Sequence, residues 1–357
     1  MTTTELDVAK MEAFGGQMMG VLNGGSLALM LSIGHRTGLL DTMADLRPST
    51  SAEIADAAGL NERYVREWLG ALTTGRIVVY NASTQRYHLP AEHAAMLTRA
   101  AGTNNMAALT QFISMLGEVE SEVVDAFREG GGVPYARFPR FQKLMAEESA
   151  AVFDSTLLSS SLPLVPGLID RLTAGIDVAD VGCGSGHAIA LMAEAFPNSR
   201  FTGFDFSEEG IAAGRAEVAA KGLANATFEV KDAAALTGPA RFDMITTFDS
   251  VHDQARPDSV LAAISDMLRA GGVYMCMDIA ASSNLEENVD HPIAPMFYAV
   301  STMHCMTVSL ALGGMGLGTM WGEQKAHEMM RDAGFTQIET ARVEGDMFNN
   351  YYIASKG

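Results

Sequence analysis

Apolar residues recur along this chain in two different registers. Through residues 5–74 they fall at helical spacing, whereas from residue 176 onward short apolar runs alternate with amphipathic stretches. Residues 5–45 are predicted helical, with Leu27, Met30, Leu31, Leu39 and Leu40 buried. Thr50-Ser51-Ala52-Glu53 has the spacing of a capping box, which starts a short helix over 53–58. Asn61, after the turn Gly59-Leu60, is the expected N-cap of a second helix carrying Tyr64, Val65, Trp68, Leu69 and Leu72 on one face. Gly75 ends it, and Arg76–Tyr80 and Gln85–Leu89 flank a polar turn. Helix, turn, helix and hairpin together predict a winged helix over about residues 20–95. Farther along, Phe141, Leu144, Met145 and Val152 sit at helical spacing and are expected to pack, and Pro163 and Pro166 mark the entry to a second domain.

Beyond that entry, strands are predicted at 176–181, 200–204, 226–231, 243–248, 273–279, 336–343 and 348–354, with helices between the first six. The helix after the fourth strand is well marked. Pro257 suits its first turn, Val260, Leu261, Ile264, Met267 and Leu268 form one stripe, and Gly271-Gly272 stops it. The pattern is that of an α/β Rossmann-like, seven-stranded, mostly parallel sheet, which binds ligands at the carboxyl ends of its strands.

At the end of the first of these strands stands Asp177-Val-Ala-Asp-Val-Gly-Cys-Gly-Ser-Gly-His187. Gly182, Gly184 and Gly186 allow a ligand to approach the backbone and the turn to take positive φ. Asp205, at the end of the next strand about 20 residues downstream, is placed to accept both hydroxyls of a ribose. Dinucleotides and adenosyl cofactors both use such a loop. The dinucleotide fingerprint needs Gly-x-Gly-x-x-Gly, however, and here the third glycine comes one residue early, with His at 187.

This loop, continued by Phe204-Asp205-Phe206-Ser207, Lys231-Asp232-Ala233 and Phe248-Asp249, resembles the class I S-adenosylmethionine-dependent methyltransferases over roughly residues 165–357. The resemblance implies S-adenosyl-L-methionine as cofactor. Asp180, Gly182, Cys183, Gly184 and Gly186 would lie beside its methionine part and Asp205 with Phe206 at the ribose. Asp232 and Ala233 would lie at the adenine edge, and Asp249 on the same rim. The winged helix in front is similar to the arrangement of plant-type small-molecule O-methyltransferases and of bacterial methyltransferases with a winged-helix domain. That similarity implies a homodimer, with residues 1–100 a mainly helical winged-helix dimerisation domain. Residues 101–165 would be a helical linker contributing to the substrate pocket, and 166–357 the catalytic domain.

Methyl transfer to a hydroxyl needs a positioned acceptor and a base near neutrality, which histidine supplies. Asp249-Ser250-Val251-His252-Asp253 resembles the His-Asp pair of the plant-type enzymes, which assigns the base to His252. Asp253 either orients it or caps the helix at Pro257. The family segment usually continues Trp-Ser-Asp, where this chain has Gln254-Ala255-Arg256. His304, in a helix inserted after the fifth strand, is the second candidate base. The glycine-rich run 313–322 that follows reads as a mobile lid, and its methionines with Trp321 as a pocket for a hydrophobic or aromatic small molecule. Asp249, Asp253 and Asp278 are the carboxylates that could converge on a metal, but no adjacent Asp-Asn pair is present where metal-dependent catechol methylation places one, so no metal is expected. Cys183 reads as a small packing residue in the loop, not a nucleophile.

Charge narrows the partners. With 24 basic against 43 acidic residues the formal net charge is −19, which repels phosphate backbones. The second winged-helix helix holds Arg63 and Arg66 but also Glu62 and Glu67, so a DNA-reading face is not expected. The three cysteines, Cys183, Cys276 and Cys305, show no disulfide or metal spacing, the first ten residues lack a basic signal start, and Leu27–Ile33 is too short to span a bilayer. A cytoplasmic enzyme without membrane or nucleic-acid partners is the expectation. The competing readings are an NAD-linked oxidoreductase and a cofactor-sensing winged-helix transcriptional regulator.

Overall fold

The computed structural model describes residues 6–356, which divide into two compact units, the chain passing from one to the other after Gly117. The first begins with the helix Val8–Arg36, capped by the Asp7 carboxylate, which accepts from Lys10 N. Gly38, at φ 70°, turns the chain into the helix Leu39–Asp45. The capping box forms as expected: Thr50 accepts from Glu53 N, and Glu53 accepts from Thr50 N at 2.7 Å, starting the helix Ser51–Ala58. Asn61 caps the helix Glu62–Thr74. Val65, Trp68, Leu69 and Leu72 are buried against Leu39, Leu40, Met43 and Ile54, and Trp68 Nε1 donates to Met30 O at 2.8 Å. Tyr64 departs from expectation and is 80% exposed. At 3.6 residues per turn it lies about 90° from the centre of the buried stripe, on its rim. The hairpin is β1 (Val79–Asn81) and β2 (Arg86–His88), with Ser49 bridged to Tyr87 on its other edge.

The second unit is built on a seven-stranded sheet: β3 (Asp177–Val181), β4 (Arg200–Asp205), β5 (Ala226–Val230), β6 (Phe242–Phe248), β7 (Leu268–Ile279), β8 (Gln337–Ala341) and β9 (Asn349–Ser355). Their order is β5-β4-β3-β6-β7-β9-β8. The first five pair parallel, and β9 lies antiparallel between β7 and β8. Alternation along each strand feeds two apolar layers. Val178, Met244, Met275 and Tyr351 enter one, while Ala179, Val181, Ile245, Tyr274 and Tyr352 enter the other. β7 starts earlier than the glycine pair predicts. The helix Pro257–Met267 passes directly into Leu268, which pairs with Phe242; a register shift before Met244 then accommodates Gly271 at φ 72°.

The strand order reverses between β3 and β6, so the segments leaving these two strands border one crevice. Those segments are the glycine loop and Asp249–Asp253. Between β7 and β8 the chain inserts the helix Ala294–Val300, the wide π turn Ser301–Cys305 and the helix Met306–Ala311. The glycine run that follows, expected as a lid, is tied to the crevice. Gly318 N donates to His252 O and Met315 N to Ala255 O, both at 3.0 Å.

Candidate active site

Two glycines in the loop are required by what surrounds them. Gly182 has φ 77°, and a Cβ there would meet Ser250 at 2.5 Å; Gly186 has φ 73°, and a Cβ would run into the Phe228 ring. Gly184 faces open space, with Gln142 Oε1 at 3.9 Å the nearest group to a Cβ. Asp205 folds back under the loop. One carboxylate oxygen accepts from Gly184 N and the other from Ser207 N, each at 2.8 Å. Only 7% exposed, it is raised by burial, against the lowering pull of those backbone N–H groups. Asp180 is sealed beneath the loop. Burial pushes it to about 7 although Thr246 Oγ1 donates to it at 2.8 Å. Asp232 receives Ala234 N at 2.9 Å beside the buried Ala233, and Phe206 stands half-exposed next to Asp205.

His187 replaces the glycine of the dinucleotide pattern for a structural reason. Its ring bridges Glu217 Oε1 at 2.8 Å and Asp154 Oδ1 at 2.9 Å, pinning the start of the helix His187–Ala195. Burial alone would lower its pKa; the two carboxylates outweigh that and raise it. Cys183 is mostly enclosed, and burial among Asp180 and Asp205 lifts its thiol far above the range of a nucleophilic thiolate.

Across the crevice, Asp249 leaves β6 at φ 54°, a conformation that costs a non-glycine residue free energy and is concentrated at functional sites. His252 is buried, and its Nδ1 donates to Asp278 Oδ1 at 2.8 Å; Asp249 Oδ1 is 3.7 Å from the same nitrogen. The carboxylate that holds His252 is therefore Asp278, at the end of β7, and not the adjacent Asp253. Nor does Asp253 cap the following helix, whose N-cap is Arg256 without a side-chain bond. Burial disfavours the charged imidazole, but Asp278 and the neighbouring Cys305 prevail and set His252 well above its ordinary value. Burial likewise drives Asp249 up to about 7 and Asp253 to about 6, with further carboxylates adding to the rise and His252 opposing it. Asp249 Oδ1 and Asp278 Oδ2 are buried without hydrogen-bond partners.

Asp249, His252 and Asp278 offer ligand atoms within 4.8 Å of one another, a geometry a cation could use. Within this group His252 Nδ1 is hydrogen-bonded to Asp278 Oδ1. His304, the second candidate base, is fully buried and stacked on Phe141. Sequence reasoning missed the role of Asp278 toward His252 and the aromatic wall of Tyr135, Phe138 and Phe141. For Asp278 a signal existed: it ends a strand at the same rim as Asp205 and Asp249.

The site thus consists of a glycine cradle ringed by Asp180, Asp205, Asp249 and Asp253, with no lysine or arginine among their hydrogen-bond partners in the described residues. With no cation to meet it, such a ring opposes the pyrophosphate of a dinucleotide, and those of its carboxylates that are ionised favour a cationic sulfonium. Comparison with known proteins agrees. Residues 25–99 match the Rv2258c-like winged HTH domain and residues 172–334 the methyltransferase domain family. The nocamycin O-methyltransferase of Saccharothrix syringae is 30% identical over 135 residues, 36% of this chain and 48% of that protein. The chain spans less than half the length of the first curated relatives it matches. The mitomycin 7-O-methyltransferase MmcR superposes with a TM-score of 0.71 at 16% identity, covering 98% of this chain and 99% of that one. Human N-acetylserotonin methyltransferase in complex with SAM superposes at 0.70 and 16% identity over 100% of both chains. The chain carries a winged helix-turn-helix domain followed by a methyltransferase domain of the class I fold.

Proposed function

We propose that this protein is an S-adenosylmethionine-dependent O-methyltransferase acting on a hydrophobic or aromatic small molecule, with His252 as general base. The observation that carries this reading is the Asp278–His252 pair standing across the crevice from the glycine cradle and Asp205. When bound, the cofactor supplies a methyl group activated on a positively charged sulfur. Asp205 would hold the ribose, Asp232 and Ala233 the adenine edge, and the loop 182–186 the methionine end. Asp278 fixes the ring of His252 through Nδ1, and Cys305 also hydrogen-bonds the ring; the acceptor hydroxyl proton would pass to the imidazole nitrogen that Asp278 does not hold.

Two features speak against the competing readings. The carboxylate ring disfavours NAD, as argued above. In the winged helix, Arg63 lies beside Glu67 and Arg66 beside Glu62, so the carboxylates offset the positive charge a phosphate backbone would need on that helix. Calorimetry tests the choice: S-adenosylhomocysteine should bind and NAD should not, and turnover should persist in chelator. Heat from NAD alone would defeat the proposal.

The chain is also proposed to act as a homodimer in the cytoplasm. In the helix Val8–Arg36, Val8, Met11, Phe14, Met19, Val21 and Leu22 are all exposed, which is a large apolar surface for a lone helix. Among the described residues no single helix is long and apolar enough to cross a membrane, and the three cysteines are free, as a reducing compartment allows. Light scattering should give a mass of two chains, and deletion of residues 1–26 should yield monomer. A monomeric full-length protein would exclude the dimer.

A further inference from the structure

The insertion after β7 carries a polar group that packing does not ask for. His304, in the turn Ser301–Cys305, is fully buried, and neither of its ring nitrogens has a hydrogen-bond partner. Its ring lies flat on Phe141, with centroids 3.6 Å apart and planes 14° from parallel. Phe138 meets it edge-on at 4.6 Å and Tyr135 at 5.8 Å. Burial, reinforced by the charge of His252, lowers its pKa to about 3. The ring is therefore neutral under any working condition and presents one N–H donor and one bare acceptor. Phenylalanine would fill this aromatic cage with the same stacking and none of the desolvation penalty.

The cage also sits where an acceptor must go. Cys305, next to His304 in the chain, lies against His252, so the two imidazoles serve one region. Tyr135 reaches the cofactor side: its ring meets Phe206 edge-on at 5.1 Å, and Asp253 and Asp205 act on its hydroxyl. The aromatic wall thus runs from the ribose-binding end of the crevice to the base.

We propose that His304 is the specificity-determining contact of the acceptor site, a neutral imidazole that hydrogen-bonds a second oxygen or nitrogen on a planar aromatic acceptor, beyond the hydroxyl facing His252. This rests on the methyl-transfer reading above. The acceptor ring takes the stacking position that Phe141 holds here, and the matching polar atom relieves the unpaired imidazole. Acceptors that lack this atom leave His304 unsatisfied and are selected against.

The test compares 2-naphthol with 2,3-dihydroxynaphthalene in wild type and His304→Phe, which keeps the stacking and removes both nitrogens. Wild type should favour the diol by about ten- to a hundredfold in kcat/KM, mostly through KM, the scale expected for an unpaired buried polar group. His304→Phe should abolish that preference, with kcat/KM for the diol falling to the level of 2-naphthol through a higher KM, while S-adenosylhomocysteine affinity stays that of wild type. A wild-type enzyme that treats the two acceptors alike overturns the proposal without any variant, and so does a variant that slows both equally; in either case the methyl-transfer reading stands. A protein that neither binds S-adenosylhomocysteine nor methylates any acceptor overturns both.

Discussion

Replacing His252 with alanine should lower kcat by about a hundred- to ten-thousandfold, the range expected when a positioned general base is removed. Affinity for S-adenosylhomocysteine should not change, because His252 lies across the crevice from the glycine loop and Asp205. The same imidazole sets the pH profile. Only its neutral form accepts a proton, and Asp278 holds the protonated form, so His252 titrates well above its ordinary value of 6.5. Wild-type kcat/KM should therefore rise with pH beyond the usual histidine range. Asp278→Asn removes the anion that stabilises the imidazolium, so the ascending limb should move to lower pH as kcat falls. An alanine variant with undiminished turnover would remove His252 from the mechanism. A profile already flat below neutrality would contradict the electrostatics of the Asp278 pair.

Substituting Asp205 with asparagine should weaken S-adenosylhomocysteine binding by roughly a hundredfold or more, measured by calorimetry. The carboxylate is held by Gly184 N and Ser207 N, with Phe206 N also acting on it, and its two oxygens have acceptor capacity beyond these bonds. Two ribose hydroxyls donating to a charged acceptor contribute about 1.5–3 kcal/mol each, and a neutral amide keeps only part of that. Thermal stabilisation by the ligand should shrink in parallel, since it scales with the logarithm of ligand concentration over Kd. Asp232→Asn is the comparison, with a smaller loss, because that side chain already caps Ala234 N and is exposed. Equal affinities in wild type and Asp205→Asn would sink the ribose assignment, and with it the reading of the glycine loop as an adenosyl site.

How legible the protein was depends on the range of the forces involved. The capping box at Thr50, the Asn61 cap, the glycine loop and the seven strands each follow from residues within one turn or one strand of each other. Backbone hydrogen bonding and periodic burial act at that range, so the pattern carries them directly. Tyr64 shows where this begins to fail: on the edge of a helical stripe, tertiary packing decides which side is covered. The glycine segment 313–322 fails in the same way, because its composition permits mobility but its bonds to His252 O and Ala255 O come from a segment about sixty residues away.

What the sequence determined by itself was the two-part α/β architecture, the glycine loop with Asp205 at the end of the next strand, and His252 at the rim of the fourth sheet strand. Only the tertiary structure decided which carboxylate holds His252. Parallel pairing of β6 and β7 sets Phe248 opposite Met277, which brings Asp278 to a residue 26 positions away in sequence, while the adjacent Asp253 makes no bond to it. The aromatic cage around His304 likewise joins residues 135–141 to the insertion after β7. Contacts of this kind depend on where side chains meet after the sheet has formed, and spacing along a chain does not encode them.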